Sequence, residues 1–228
     1  MSSAASELAT LHYFDGRGHG ERVRYALAAG GVAFRENLLT KRGDCGVVRP
    51  LCTFGQVPLL EMPRGGPALV QSYAIVRYLG ATAGPRPPAG AEYKADAALE
   101  QVRDFTTEAG FVGYGWQADA AAKAAALDKV RAASARYLPT FERVLAAEGG
   151  WLAGERSFVD YQLLYCLDYA VELLGEEALR EVPLCAALRA SLREEPRMQT
   201  FYLTQAKPLV SERYIREVRE AQQPAPAT

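Results

Sequence analysis

The chain has 228 residues, long enough for two domains that each bury a core. Hydrophobic residues make up 49% and charged residues 23%, with a formal net charge of -1, the balance of an ordinary globular protein. Near-neutrality excludes electrostatic capture of nucleic acid or of an anionic membrane surface as the basis of function.

Met1 to Glu7 carry neither a basic start nor an apolar stretch, so they do not read as a signal peptide, and residues 1–7 are expected to be disordered. No window is long and apolar enough to span a bilayer, so a cytoplasmic location without membrane contact is expected. Cys45, Cys52, Cys166 and Cys185 are too irregularly spaced for a zinc site and too sparse for a disulfide framework, which leaves free thiols and no metal.

Residues 8–14 form a β-type run that stops at the turn formers Asp15-Gly16-Arg17-Gly18. Val23, Ala26, Leu27 and Gly30 then recur at helical spacing, and Gly30-Gly31 signals the helix end. A second strand over 33–39 completes a βαβ unit. Residues 40–53 read as an irregular or short helical connection. Val57 to Glu61 and Ala68 to Val70, joined by turn chemistry, predict a β-hairpin. A helix follows from Ser72, which is placed to cap it, with Ile75, Tyr78 and Leu79 inward.

This order, βαβ, connector, ββα, predicts an α/β thioredoxin-like N-terminal domain over 8–83. The proline-rich run 84–90 is a stiff linker. Residues 91–221 read as an all-α helical C-terminal domain, and 222–228 as a frayed tail. One helical face holds Leu127, Val130, Ser134, Tyr137, Leu138, Phe141, Val144 and Leu145; another holds Leu164, Leu167, Val171 and Leu174. Ser157 and Asp160 have the spacing of a reciprocal helix cap.

Two short runs carry chemistry. A proline in a strand removes a ladder donor, so Val57-Pro58 marks either an edge or turn, or a cis bond that turns the Val57 backbone outward to pair with an extended peptide. Ser72 at a helix start is a cap; the same position also presents free N–H groups and the positive end of the helix dipole to a ligand carboxylate, with Gln71 beside it.

Gly55-Gln56-Val57-Pro58-Leu59-Leu60-Glu61, then Leu69-Val70-Gln71-Ser72 and Ile75-Val76-Arg77-Tyr78-Leu79, together resemble the glutathione-site signature of cytosolic glutathione transferases. Leu11-His12-Tyr13-Phe14-Asp15-Gly16-Arg17-Gly18 resembles the start of the family's tyrosine-type classes, alpha, mu, pi and sigma. The resemblance implies a homodimeric glutathione S-transferase in which Tyr13 donates to the glutathione sulfur. Gln56 and Arg49 would face the glycine carboxylate, Val57 before Pro58 the cysteine backbone, and Gln71 with Ser72 the γ-glutamyl end. Cys45 stands where the family often has an indole, and Arg42 is an alternative to Arg49.

His19 replaces an arginine that helps the thiolate in some relatives, and a histidine is only partly charged near neutrality. Arg17 reads as a bridge between the domains. Glu108 matches an acid that reaches across the dimer to the γ-glutamyl amine. A small hydrophobic electrophile would lie between the domains near Phe14, Gly16, Phe111, Tyr114 and Trp116, under a terminal helix over 211–221 that turns Val210, Tyr214 and Val218 inward. Two other readings are compatible with the sequence: a glutathione-dependent isomerase of the sigma type, and a non-catalytic ligand-binding or structural relative.

Overall fold

A computed structural model describes residues 7–39, 46–111, 119–207, 213, 215 and 216. The first unit is β1 (Ala9–Tyr13), α1 (Gly18–Ala29) and β2 (Phe34–Leu38), followed by a short 3-10 turn (Arg49–Leu51), β3 (Leu59–Glu61), β4 (Ala68–Val70) and α2 (Ser72–Thr82). The sheet order is β2-β1-β3-β4; β1 runs parallel to β2 and antiparallel to β3, and β3 runs antiparallel to β4. Every residue of β1 is buried, as a central strand requires. This is the thioredoxin-like arrangement that the sequence predicts.

The remainder is helical: α3 (Glu92–Ala109), α4 (Ala120–Ala147), α5 (Phe158–Leu174), α6 (Pro183–Arg193) and α7 (Pro196–Thr204), with a 3-10 turn at Glu176–Leu179. Two sequence expectations need correction here. Helix α5 does not bury one face; Phe158 to Ala170 are buried on all sides. It is the central helix, with α1, α3, α4 and α6 packed around it, and a helix so placed has no solvent side. On α4, Val130, Ser134, Tyr137, Leu138, Phe141 and Leu145 are buried as expected, but Val144 is 38% exposed at the edge of the contact stripe.

Ser157 and Asp160 meet at the start of α5. The Asp160 carboxylate accepts the N–H groups of Ser157 (2.7 Å) and Leu152 (2.9 Å), so one buried acid satisfies two buried donors.

The two units share an extensive seam. The Phe158 N–H donates to the Pro85 carbonyl (2.8 Å), Gln162 Nε2 to the Arg22 carbonyl (3.1 Å), and the Tyr25 hydroxyl to Asp168 (2.8 Å). Asp168 also accepts from Arg189, Arg193 and Tyr202, so a single carboxylate on α5 gathers α1, α6 and α7. Arg17 spans the seam as expected, pairing with Glu172 of α5 at 2.7 Å and donating to the Lys207 carbonyl at 2.8 Å.

Gly80 of α2 lies directly against Phe158; a Cβ built on it would sit 2.5 Å from the phenyl ring and 3.0 Å from the Phe158 Cβ. Normal carbon contacts are about 3.5–4.0 Å. Gly80→Ala would gain about 1 kcal/mol of helix propensity. Overpacking at the base of a side chain that opens a helix should cost about 1–3 kcal/mol and outweigh it. The expected outcome is a lower midpoint of thermal or denaturant unfolding; an unchanged or raised midpoint would show that the seam relaxes freely.

Candidate functional site

The sheet register brings the separate sequence runs together. His12 pairs with Leu59 across β1 and β3, and Leu59 with Val70 across β3 and β4. One further step places Tyr13, Pro58 and Gln71 side by side along one end of the sheet. Strands lie about 4.8 Å apart, so Tyr13 and Gln71 are separated by about 10 Å, the reach of about three extended residues.

At the β3 end the Val57–Pro58 peptide is cis. Pro58 is buried and Val57 half-buried, while Gln56 is exposed and its Oε1 accepts from Gln71 Nε2 at 3.3 Å. Gln71 has φ 66° and ψ 104°, a positive φ that costs a non-glycine residue on the order of 1–3 kcal/mol and is retained at sites with a purpose. This conformation corrects the cap assignment: Gln71, not Ser72, is the N-cap, its carbonyl accepting the Ile75 N–H at 2.9 Å. Ser72 becomes the first helical residue, buried, its N–H among the orphan donors of the helix start.

At the β1 end Tyr13 is only 4% exposed, and its phenol oxygen accepts the backbone N–H of His19 at 2.9 Å. That N–H belongs to the first turn of α1, so the positive end of a helix faces the phenol oxygen. A phenol that accepts such a bond becomes a stronger donor through its own O–H. The ring lies against Gly20, where an added Cβ would fall 2.4 Å from Tyr13 Cδ1. Glycine is unfavourable in a helix; here it makes room for the tyrosine.

The turn after Tyr13 is fixed by Arg24. This fully buried guanidinium donates to the carbonyls of Gly16 (2.8 Å) and Phe14 (3.3 Å) and pairs with Glu21 (2.8 Å) and Glu36. Lys207 closes the same cluster from the far end of the chain, its Nζ 2.6 Å from Glu36 and 3.4 Å from Asp15. Sequence reading missed Gly20 and Arg24. The signals were present: a glycine in a helical first turn, and a Glu21–Arg24 pair at i,i+3 on a largely apolar helix.

The His19 imidazole behaves differently from expectation. Protein packed around it, and after that the Arg22 cation, push its pKa down to about 4, although the residue is exposed on one side. It is therefore neutral, not partly charged, near pH 7, and its recognisable contribution is the backbone N–H.

Other expected residues are more scattered. Arg49 is exposed on the 3-10 turn. Glu108 is engaged within its own chain, accepting from Arg136 (2.7 Å) and the Tyr137 hydroxyl (2.9 Å). Phe14 is buried against Tyr13, and the Gly16 carbonyl is held by Arg24. Phe111 is 1% exposed, stacks on Tyr169 at 4.2 Å and meets Phe105 and Tyr165 edge-on, so among the described residues it belongs to an aromatic core cluster. Arg42, Cys45, Tyr114, Trp116 and the inward set Val210, Tyr214 and Val218 lie outside the described residues. Among the described residues no group of three or more His, Cys, Asp or Glu side chains is placed to hold a metal, and no helix is long and apolar enough to cross a membrane.

Comparison with known proteins gives a consistent result. The family model "Glutathione S-transferase, N-terminal domain" matches residues 9–81, and "Glutathione S-transferase, C-terminal domain" matches 104–205. The chain is 35% identical over 213 residues to glutathione S-transferase alpha-3 of Rattus norvegicus, covering 90% of this chain and 94% of the relative. Among solved structures, the glutathione S-transferase of Ascaris lumbricoides superposes with a TM-score of 0.74 at 30% identity, over 89% of this chain and 99% of that one. A monomeric glutathione S-transferase of Necator americanus superposes with a TM-score of 0.74 at 22% identity, over 88% and 98%, and supports the fold alone.

The neutral His19 gives a direct check. Its folded-state pKa lies below the unfolded value, so the stability it contributes is complete above about pH 6.5 and is lost as pH falls toward about 4. In NMR titration the His19 ring resonance, assigned by its disappearance in His19→Gln, should stay constant from about pH 8 to about pH 5.5. A midpoint near the ordinary histidine value would refute the neutral assignment.

Proposed function

The chain belongs to the glutathione S-transferase family, and from that premise we propose that Tyr13 activates the glutathione thiol for addition to small apolar electrophiles. It is a glutathione transferase. The observation that carries the assignment of residues is the register that aligns Tyr13, Val57-Pro58 and Gln71-Ser72 on one end of the sheet.

Glutathione, on this reading, lies along that end. The Val57 backbone pairs with its cysteine residue, as an added strand would. The γ-glutamyl carboxylate meets the start of α2 at Ser72, with Gln71 alongside, and the glycine end lies toward Gln56 and Arg49. Tyr13 donates its hydroxyl proton in a hydrogen bond to the sulfur and keeps that proton; the thiol proton leaves to solvent. The thiolate then forms the C–S bond to the electrophilic carbon as that carbon's π bond breaks, and the displaced electron pair moves onto the electrophile and takes a proton from solvent.

A free thiol has a pKa of about 8.5, and lowering it by about two units takes about 2.7 kcal/mol. One charge-assisted hydrogen bond supplies about 1.5–3 kcal/mol. The phenol therefore nearly suffices, and the His19 N–H behind it adds to the effect without a charge on the imidazole. Holding the two reactants together provides the remaining acceleration.

We further propose a homodimer in the cytoplasm. Val47, Leu51 and Phe54 are 74%, 56% and 64% exposed in one short segment, a cluster of apolar side chains suited to a second copy. In such a dimer Glu108 would serve the partner's γ-glutamyl amine only by leaving Arg136 and Tyr137.

The thiolate absorbance of bound glutathione, followed against pH, tests the catalytic assignment. Tyr13→Phe should raise the apparent thiol pKa by at least about one unit, about 1.4 kcal/mol, with binding retained. Ser72→Ala should weaken binding while moving that pKa little. An unmoved pKa in the first variant, or undiminished affinity in the second, refutes the corresponding role. For assembly, light scattering should give about twice the 24.8 kDa chain mass, and Phe54→Glu should return it to the monomer mass. A parent protein of monomer mass overturns the dimer.

A further inference from the structure

Arg22 is a buried cation with no carboxylate against it among the described residues. It is 2% exposed, and among the described residues no acceptor meets its Nε or Nη1. Its guanidinium lies 4.0 Å from the centroid of the Tyr73 ring and 5.8 Å from that of Tyr165. The groups facing it are His19 on its own helix, Tyr73 on α2, and Tyr165 and Cys166 on α5. None of them is a carboxylate. Arg24, two residues later, is surrounded by two carboxylates and two carbonyls, so the difference is specific to the position. An uncompensated buried charge is costly, and a fold that keeps one gains by it elsewhere.

The neighbours indicate what is gained. Tyr73 directly follows Ser72 and anchors the start of α2 to the helical unit through its hydroxyl, 2.8 Å from Thr106 of α3. His19, one helical turn before Arg22, supplies the N–H that holds the Tyr13 hydroxyl. The Arg22 carbonyl is in turn fixed by Gln162 of α5. One residue thus connects the turn that holds the phenol, the helix start assigned to the γ-glutamyl carboxylate, and the central helix.

We propose that Arg22 is a positioning residue for glutathione: by stacking on Tyr73 it sets the Gln71–Ser72 helix start against the Tyr13 end of the site, and its unneutralised charge adds positive potential between them. Planar stacking holds the placement, and charge favours the two anionic groups of the ligand, the carboxylate and the thiolate. The inference rests on the assignment of Tyr13 and Ser72 to glutathione.

The test uses full-length protein, glutathione as the ligand, calorimetric affinity and the pH profile of bound-thiolate absorbance. Arg22→Met should weaken affinity about tenfold and raise the bound thiol pKa by about half a unit. Arg22→Lys keeps the charge without the planar stack, so it should restore the thiol pKa but not the affinity. Tyr73→Leu should do the same from the other side of the contact. A merely structural role would lower the melting temperature of these variants and leave both readouts of the folded fraction unchanged. Arg22→Met with affinity within about twofold of the parent and an unmoved thiol pKa overturns the proposal. Should that variant not fold, undiminished affinity in Tyr73→Leu overturns it instead. Tyr13→Phe and Ser72→Ala are run alongside: if those two behave as the parent, the site assignment itself has failed and this inference falls with it; if they respond and the Arg22 and Tyr73 variants do not, only this inference fails.

Discussion

The site depends on one buried guanidinium. Arg24 stands on the inner side of α1 and spends its donors on the carbonyls of Phe14 and Gly16 and on the carboxylates of Glu21 and Glu36. These contacts determine where the chain goes after β1, and hence where the phenol of Tyr13 meets the first turn of α1. Charges taken out of water are tolerated only with such complete pairing; removing one partner of a buried pair typically costs about 3–5 kcal/mol. Tyr13 is consequently held by a constraint it does not itself touch through its hydroxyl. The Gly20 vacancy then admits the ring, and the His19 N–H fixes the oxygen.

The same cluster reaches the far end of the chain. Glu36, paired with Arg24, also binds Lys207; Arg17, at the same turn, holds the Lys207 carbonyl and Glu172 of α5. Thus the turn next to Tyr13 is where the helical unit and the segment beyond α7 are secured. Coupling between the units runs through rigid, buried groups: Asp168 with its four donors, Gly80 under Phe158, and Arg22 on Tyr73.

The contrast between Arg22 and Arg24 illustrates how position decides the use of a charge. They are two residues apart on one helix, so they face different sides. Arg24 turns toward the sheet edge and finds carboxylates; Arg22 turns toward α2 and α5 and finds aromatic rings. Arg24 is neutralised and structural. Arg22 is left against two rings, where α1 meets the start of α2 and the central helix.

Local chemistry by itself determined much of this protein. Glycine and proline punctuation located β1, α1 and the hairpin, helical periodicity located the long helices, and the runs at Val57-Pro58 and Gln71-Ser72 carried the glutathione likeness, because each of these signals acts over a few neighbouring residues. What lay beyond that range was decided by tertiary structure. Burial of α5 on every side, Phe111 in the aromatic core, and Gln71 rather than Ser72 as the cap depend on distant neighbours or on a backbone angle that no composition encodes. So does the neutrality of His19, which follows from packing and the nearby Arg22 cation. The alignment of Tyr13 with Pro58 and Gln71 is the clearest case. The sequence supplied three pieces some 45 and 13 residues apart, and only hydrogen-bonded register across three strands put them along one end of the sheet.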